Sequence, residues 1–229
     1  MSFNKNYYKK NKQDNNRIGL LFYSNVIQHY YKSSNILDYG CGTGHLLNRL
    51  SKKKFINKSY GFEISNYARK KAEKNSKKSL IIDKFDKIKD KSINLITALH
   101  IIEHIDDLEL SKTIESFKRI LSSDGYILIA TPAKNGIGHR IKKEKWIGYL
   151  DETHINIKSF NEWISFFNKN NLKLIKASSD GLWDFPYKLK NNKLLILKIT
   201  MIMIFQIFTG KLYLSYDKGE TFIFLLKFN

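Results

Sequence analysis

The run Ile36-Leu37-Asp38-Tyr39-Gly40-Cys41-Gly42-Thr43-Gly44 constrains this chain more than any other stretch. A short apolar segment ends on an aspartate, and three glycines follow at alternate positions. That order reads as a buried strand, a tight turn and the start of a helix. Glycine is used where the backbone takes positive φ or must let a ligand come close. Three glycines so spaced leave a loop almost bare of side chains at the carboxyl end of the strand. A flat, polar small molecule can lie against it. A second acid stands at a suitable distance: residues 58–63 read as another short strand, ending in Glu63, which is 19 residues beyond Gly44. In nucleotide-binding βαβ units an acid at the tip of the second strand accepts the ribose hydroxyls.

The alternation continues along the chain. Strands are expected at 79–82, 93–98, 126–130, 172–177 and 221–228. Between them, residues 108–121 carry Leu110, Ile114, Phe117, Ile120 and Leu121 on one helical face. Residues 122–125 read as a turn. Ser159, with Glu162 three residues on, forms a capping box for a helix to about residue 168. Strands alternating with helices predict an α/β protein, an open parallel sheet covered on both faces. Its ligand crevice lies outside the carboxyl ends of the strands, beside the first one.

The dinucleotide fingerprint G-x-G-x-x-G does not fit, because His45 stands where the third glycine belongs. The run 36–44 instead closely resembles the first motif of class I methyltransferases, which bind S-adenosyl-L-methionine. His100-Ile101-Ile102-Glu103-His104-Ile105 resembles the Glu-His pair after the fourth strand in small-molecule members, including the ubiquinone-biosynthesis O-methyltransferases. Asp151-Glu152-Thr153-His154 resembles a segment of methyltransferases encoded among polysaccharide genes. The resemblance implies a Rossmann-like, seven-stranded, mostly parallel sheet with an antiparallel last strand and a small helical cap. It implies an N-terminal helical lid over 1–34, a cofactor domain over 35–180 and 219–229, and a cap insertion at 181–218. The cofactor would be held by Asp38, Gly40, Gly42, Gly44, Glu63 and Leu99. Asp83 aligns with an adenine-binding acid after the third strand.

Composition narrows the partners. The chain of 229 residues suffices for one domain with a full core, and its start lacks a secretory apolar stretch. A cytoplasmic protein is expected. The single cysteine, Cys41, excludes a disulfide framework and reads as a packed small residue. The formal net charge is +19, which favours anionic partners. The excess is nearly all lysine, with asparagine and isoleucine also abundant, as an AT-rich coding sequence would give. Methyltransferases of base amino groups carry an acid or asparagine, Pro-Pro and an aromatic after the fourth strand, where this chain reads Thr97-Ala98-Leu99-His100. Cys41 cannot serve as a pyrimidine C5 nucleophile. A small-molecule or glycan acceptor is therefore expected and nucleic acid is not, although methylation of an RNA ribose hydroxyl stays open. A non-catalytic cofactor-binding subunit is the reading from another class.

An acceptor hydroxyl must lose its proton, and a neutral histidine can take it. His154, oriented by Asp151, and His104 are the candidate bases. His100-x-x-Glu103-His104 also matches the inverted zinc-peptidase pattern, but it follows a strand directly, and a peptidase would leave the glycine loop unexplained. No metal ligand is assigned. A divalent ion near His100, Glu103 and His104 and a simple helix start both remain open. Residues 194–208 are polar only at Lys198, Thr200 and Gln206. As a helix they reach ~22 Å, short of a bilayer. A buried cap helix and a peripheral membrane contact are the two readings. Trp183, Phe185, Pro186 and Tyr187 could line an acceptor pocket or merely pack the cap.

Overall fold

The computed structural model describes residues 3–11, 13–31, 34–187 and 193–229. Helices α1 (Lys5–Lys10) and α2 (Gly19–Tyr30) precede the first strand, β1 (Ser34–Tyr39). The glycine loop leads into α3 (His45–Leu50), β2 (Ile56–Phe62), α4 (Asn66–Asn75), β3 (Leu80–Ile82) and β4 (Ile93–Leu99). Then follow α5 (Asp107–Ile120), β5 (Leu121–Pro132), the short helices α6 (Ile137–Lys142) and α7 (Ile147–Leu150), and α8 (Phe160–Lys169). β6 (Leu172–Ser179), α9 (Lys193–Thr209) and β7 (Thr221–Phe228) complete the chain.

The seven strands form one sheet in the order β3-β2-β1-β4-β5-β7-β6. Pairing is parallel from β3 to β5, while β7 runs antiparallel to both β5 and β6. The expected mostly parallel sheet with an antiparallel last strand is thus the observed one. Connections reverse direction between β1 and β4, so a crevice opens at their carboxyl ends.

Alternation along the strands sorts side chains to two faces. Leu37, Ile96, Ile127, Ile129 and Phe224 pack beneath α5 and α8, against Ile114, Phe117, Trp163 and Phe167. Ile36, Leu95, Leu128 and Ile223 pack on the other face against Phe22, Val26, Leu50, Met203 and Ile207. Helix α2 is therefore a layer of the core that packs on α9. The segment before it, with Leu20 of α2, lines the crevice.

One local expectation fails. Residues 122–125 do not end the element: Leu121 pairs with Ile93 and Tyr126 with Leu95, so the stretch between them bulges within β5. A bulge absorbs turn-forming residues while the ladder resumes. The capping box stands as read, with the Glu162 carboxylate accepting from the Ser159 backbone N–H at 2.7 Å and hydroxyl at 2.6 Å.

Candidate active site

The glycine loop performs the turn that its sequence predicts. Gly40, Gly42 and Gly44 all have positive φ, at 73°, 53° and 80°. Their surroundings differ. A Cβ on Gly40 would lie 2.7 Å from the Ile101 side chain, and one on Gly44 would lie 2.8 Å from the Ala72 Cα. A Cβ on Gly42 would meet only the Tyr8 ring, at 3.7 Å. Gly40 and Gly44 serve packing, while Gly42 keeps a space open. Gly40 and Gly42 line a cavity with Asp38, Cys41, Glu63, Leu99, His100 and His104.

Two buried acids flank this cradle. Asp38, at the end of β1, accepts a 2.7 Å bond from the Thr97 hydroxyl across the crevice. Burial pushes its pKa up to about 7, with nearby Glu63 adding to the rise against the Thr97 bond. Glu63, just past β2, accepts from the Gly42 N–H at 2.9 Å and the Ser65 N–H at 2.7 Å. Burial raises its pKa despite those bonds. Glu63 thereby ties the loop to the N-terminus of α4.

Asp83 does not join this group. It is ion-paired with Arg69 at 3.6 Å, is half exposed, and is not among the cavity's walls. β3 ends on Ile82, so Asp83 stands just past the strand. Gly44 is likewise outside the walls and caps α3 instead.

The chain before α2 closes over the cavity, and Phe3, Tyr7, Tyr8 and Gln13 form its roof. Thr43 donates to the Gln13 carbonyl at 3.2 Å, His45 Nε2 bonds the Asp14 carbonyl at 2.9 Å, and Tyr67 donates to Asp14 at 2.8 Å. Ser65, which caps α4, also donates to the Phe3 carbonyl. The resemblance implies a lid over 1–34 but not which of its residues face the cavity, because short polar segments carry no periodic signal. The Tyr7-Tyr8 pair in a Lys- and Asn-rich stretch was the one available clue.

The second half of the site lies past β4. His100 takes a left-handed φ of 56°, and residues 102–104 form a single 3-10 turn. His100 and His104 therefore do not share an α-helical face, which removes the geometry of a zinc peptidase. His100 Nε2 bonds the Tyr23 hydroxyl at 2.9 Å. Glu103 is fully buried, and its Oε2 accepts from the Thr131 hydroxyl at 3.1 Å. Burial opposes its ionisation, but His100, His104 and His154 outweigh this and hold its pKa low. The Glu103 carbonyl accepts from the N–H groups of Ile155 and Asn156, at 3.0 and 2.9 Å. These bonds bring the 151–156 connection onto the turn and place the His104 and His154 rings 4.7 Å apart.

Both ring tautomers follow from the partners. His154 Nδ1 faces the Gly148 carbonyl at 2.7 Å, which can only accept. His104 Nδ1 lies 2.8 Å from the Thr153 hydroxyl, whose own proton goes to Asp151 Oδ1 at 2.6 Å. Each Nδ1 thus carries a proton, and in the neutral ring Nε2 keeps its lone pair. Burial holds the His104 pKa below its ordinary value, which keeps the ring neutral. Asp151, expected to fix the His154 tautomer, makes no bond to Nδ1, which Gly148 holds. Its Oδ2 is 3.9 Å from His154 Nε2 and accepts from Tyr7 and Asn11, at 3.2 and 3.3 Å. Burial opposes its charge, yet the Thr153 bonds hold its pKa low.

Trp183, Phe185, Pro186 and Tyr187 are not walls of the cavity. Glu220 accepts from the Trp183 and Asp184 N–H groups at 3.0 Å each and from the Tyr187 hydroxyl, which packs this connection onto the sheet. Asp180, missed by the sequence reading, is buried, and its Oδ1 has no hydrogen-bond partner. Cys41 is a buried free thiol, as its packing role requires.

The cradle fits an adenosine-bearing cofactor: bare backbone at Gly42, two buried acids and an open space between them. A methyltransferase-domain family model matches residues 12–177. A search of curated proteins gave no match. Among solved structures, a methyltransferase dependent on S-adenosylmethionine (SAM) from Archaeoglobus fulgidus is 17% identical, with a TM-score of 0.63, covering 92% of this chain and 94% of its own. A SAM-dependent methyltransferase from Thermotoga maritima is 16% identical, with a TM-score of 0.64 and coverages of 98% and 96%. A TehB-like SAM-dependent methyltransferase from Corynebacterium glutamicum is 15% identical, with a TM-score of 0.56 and coverages of 91% and 88%. The sheet order, the glycine cradle and a family match over most of the chain converge: this protein belongs to the methyltransferase-domain family.

Proposed function

We propose that the acceptor is a hydroxyl group of a small molecule or a glycan. The observation that carries this reading is the pair of rings, His104 and His154, 4.7 Å apart, with each Nδ1 held by an oxygen and each Nε2 left to accept a proton, beside the cavity that His104 lines. A hydroxyl must give up its proton as it is methylated, and a base so placed answers that need. SAM, when bound, supplies the electrophilic methyl group. Asp38, Gly40, Gly42, Glu63 and Leu99 would hold it, the roof would exclude water, and His154 or His104 would take the acceptor's proton. The test is a screen of hydroxyl and amine acceptors for release of S-adenosylhomocysteine. Hydroxyl substrates should turn over. Turnover confined to amines would overturn the assignment. Nucleic acid should bind weakly and be lost steeply with added salt.

The exposed face of α9 supports a second element of this reading, peripheral contact with an anionic membrane. Leu194 and Phe208 are 79% and 75% exposed, and Leu197, Met201, Ile204 and Phe205 are exposed with them. At 100° per residue all six share one face, opposite the buried Ile199, Met203, Gln206 and Ile207. Lys193 and Lys198 flank the stripe, and no Asp or Glu occurs between 185 and 216. No helix among the described residues is long and apolar enough to cross a membrane. An apolar stripe edged by lysines suits the interface of an anionic bilayer. The charge of +19 repels a second copy. The chain should sediment with phosphatidylglycerol vesicles and not with phosphatidylcholine, and Phe208→Asp should weaken this about tenfold. Dimerisation through α9, or equal binding to both vesicles, would overturn the contact.

A further inference from the structure

We propose that Glu103, His104 and His154 bind a divalent metal cation at the acceptor end of the cavity. One ligand atom from each residue lies within 4.8 Å of the other two. Bonds of about 2.0–2.2 Å place ligand atoms about 3.0–3.5 Å apart, so small rotations of the rings would close the set.

Three features go beyond proximity. First, each Nδ1–H is spent on an oxygen, Gly148 O for His154 and the Thr153 oxygens for His104, so each Nε2 is left as a donor of its lone pair. Metal-binding histidines are oriented this way, by a carbonyl or hydroxyl on the far nitrogen. Second, Glu103 is fully buried and its Oε1 has no hydrogen bond. A carboxylate oxygen in that position is costly without a positive partner. The nearest cationic candidate on its own turn, His100 Nδ1, is 3.7 Å from it, and the His100 side chain is 40% exposed. Third, Asp151 holds Thr153, whose oxygens meet His104 Nδ1, and the Glu103 carbonyl fixes the 155–156 backbone. These bonds hold ligands that lie about fifty residues apart in sequence.

Two imidazoles and one carboxylate leave coordination positions open, the pattern of catalytic rather than structural sites. First-row divalent ions such as Mn²⁺ or Zn²⁺ suit the donors. His104 lines the cofactor cavity, so the open positions face the place where an acceptor would sit. A cation there would lower the pKa of an acceptor hydroxyl and take over the task that the free rings would otherwise perform. That role rests on the hydroxyl reading above, while the binding of the cation rests on the geometry alone.

The test uses the full chain, stripped with EDTA and dialysed, titrated with Mn²⁺ and with Zn²⁺ by calorimetry, with Mn²⁺ paramagnetic resonance as a second readout. One ion per chain is expected. His154→Asn and His104→Asn should each weaken it at least tenfold, while the exposed His29→Asn should not. SAM affinity and circular dichroism of the same variants report whether they are folded. No saturable binding by either ion, or equal binding in His154→Asn, overturns the site. Full turnover of a hydroxyl acceptor by stripped protein overturns the cation's role and leaves the hydroxyl reading standing. A saturable, His154-dependent site in an enzyme that methylates only amines upholds the cation and overturns the hydroxyl reading.

Discussion

The two halves of the crevice are built in opposite ways. The cofactor half comes from one contiguous turn, residues 38–44, and an acid at the tip of the adjacent strand. Its positions are backbone requirements: three glycines at positive φ and a Glu63 carboxylate on the Gly42 N–H. The acceptor half is assembled from pieces remote in sequence, with Glu103 and His104 on one connection and His154 on another, joined through the Glu103 carbonyl. Backbone geometry leaves a local mark on a sequence. An assembly of side chains across connections leaves almost none. The difference also predicts tolerance: the first half should fail when space is filled, the second when a single polar atom is removed.

Gly42→Val is the harshest test of that contrast. The Cβ position meets only Tyr8 at 3.7 Å, so the added methyls occupy ligand space. We expect SAM affinity to fall more than about a hundredfold, equivalent to ~3 kcal/mol, while circular dichroism still shows a folded chain. Gly44→Ala should do the reverse, lowering the thermal midpoint because its Cβ meets the α4 backbone at 2.8 Å. In the other half, His154→Ala should cut turnover by on the order of a hundredfold and leave SAM affinity unchanged. A His154→Ala enzyme working at near the parental rate would make the ring structural. Asp151→Asn should act more mildly. Asn keeps an acceptor for Thr153 but weakens the bonds from Tyr7 and Asn11. KM for SAM should rise several-fold as the roof loosens, with kcat falling less than tenfold, both read from steady-state kinetics.

The same contrast explains what could be read in advance. Strand positions were legible because short apolar runs such as Ile36-Leu37, bounded by turn residues, mark strands buried on both faces. The glycine loop was legible because few residues tolerate its φ values. Asp83 was misplaced because an acid after a strand aligns by position, while the turn that follows decides where it points. His104 and His154 could be named as candidates, yet their tautomers depend on the Gly148 and Thr153 oxygens, which no spacing rule specifies. The bulge at 122–125 was read as a turn because the residues that favour the two overlap.

The smallest expected effect compares one buried acid from each side of β4. Burial pushes the pKa of both Asp38 and Asp180 up to about 7. In the unfolded chain both titrate near 3.8. Between those values the folded protein holds more protons than the unfolded one, so stability falls as pH rises from about 4 to about 7. Below that window both states are protonated, and the contribution is fully present. Asp38 keeps a Thr97 hydroxyl on its carboxylate, whereas Asp180 Oδ1 has no partner. Losing its charge should therefore relieve Asp180 more than Asp38. Urea midpoints measured without cofactor at pH 4.5 and pH 7.5 should differ less in Asp180→Asn than in the parent protein, with Asp38→Asn in between. A parental difference unchanged in both variants would mean that neither acid sets the pH dependence, and that both are charged at neutral pH despite their burial.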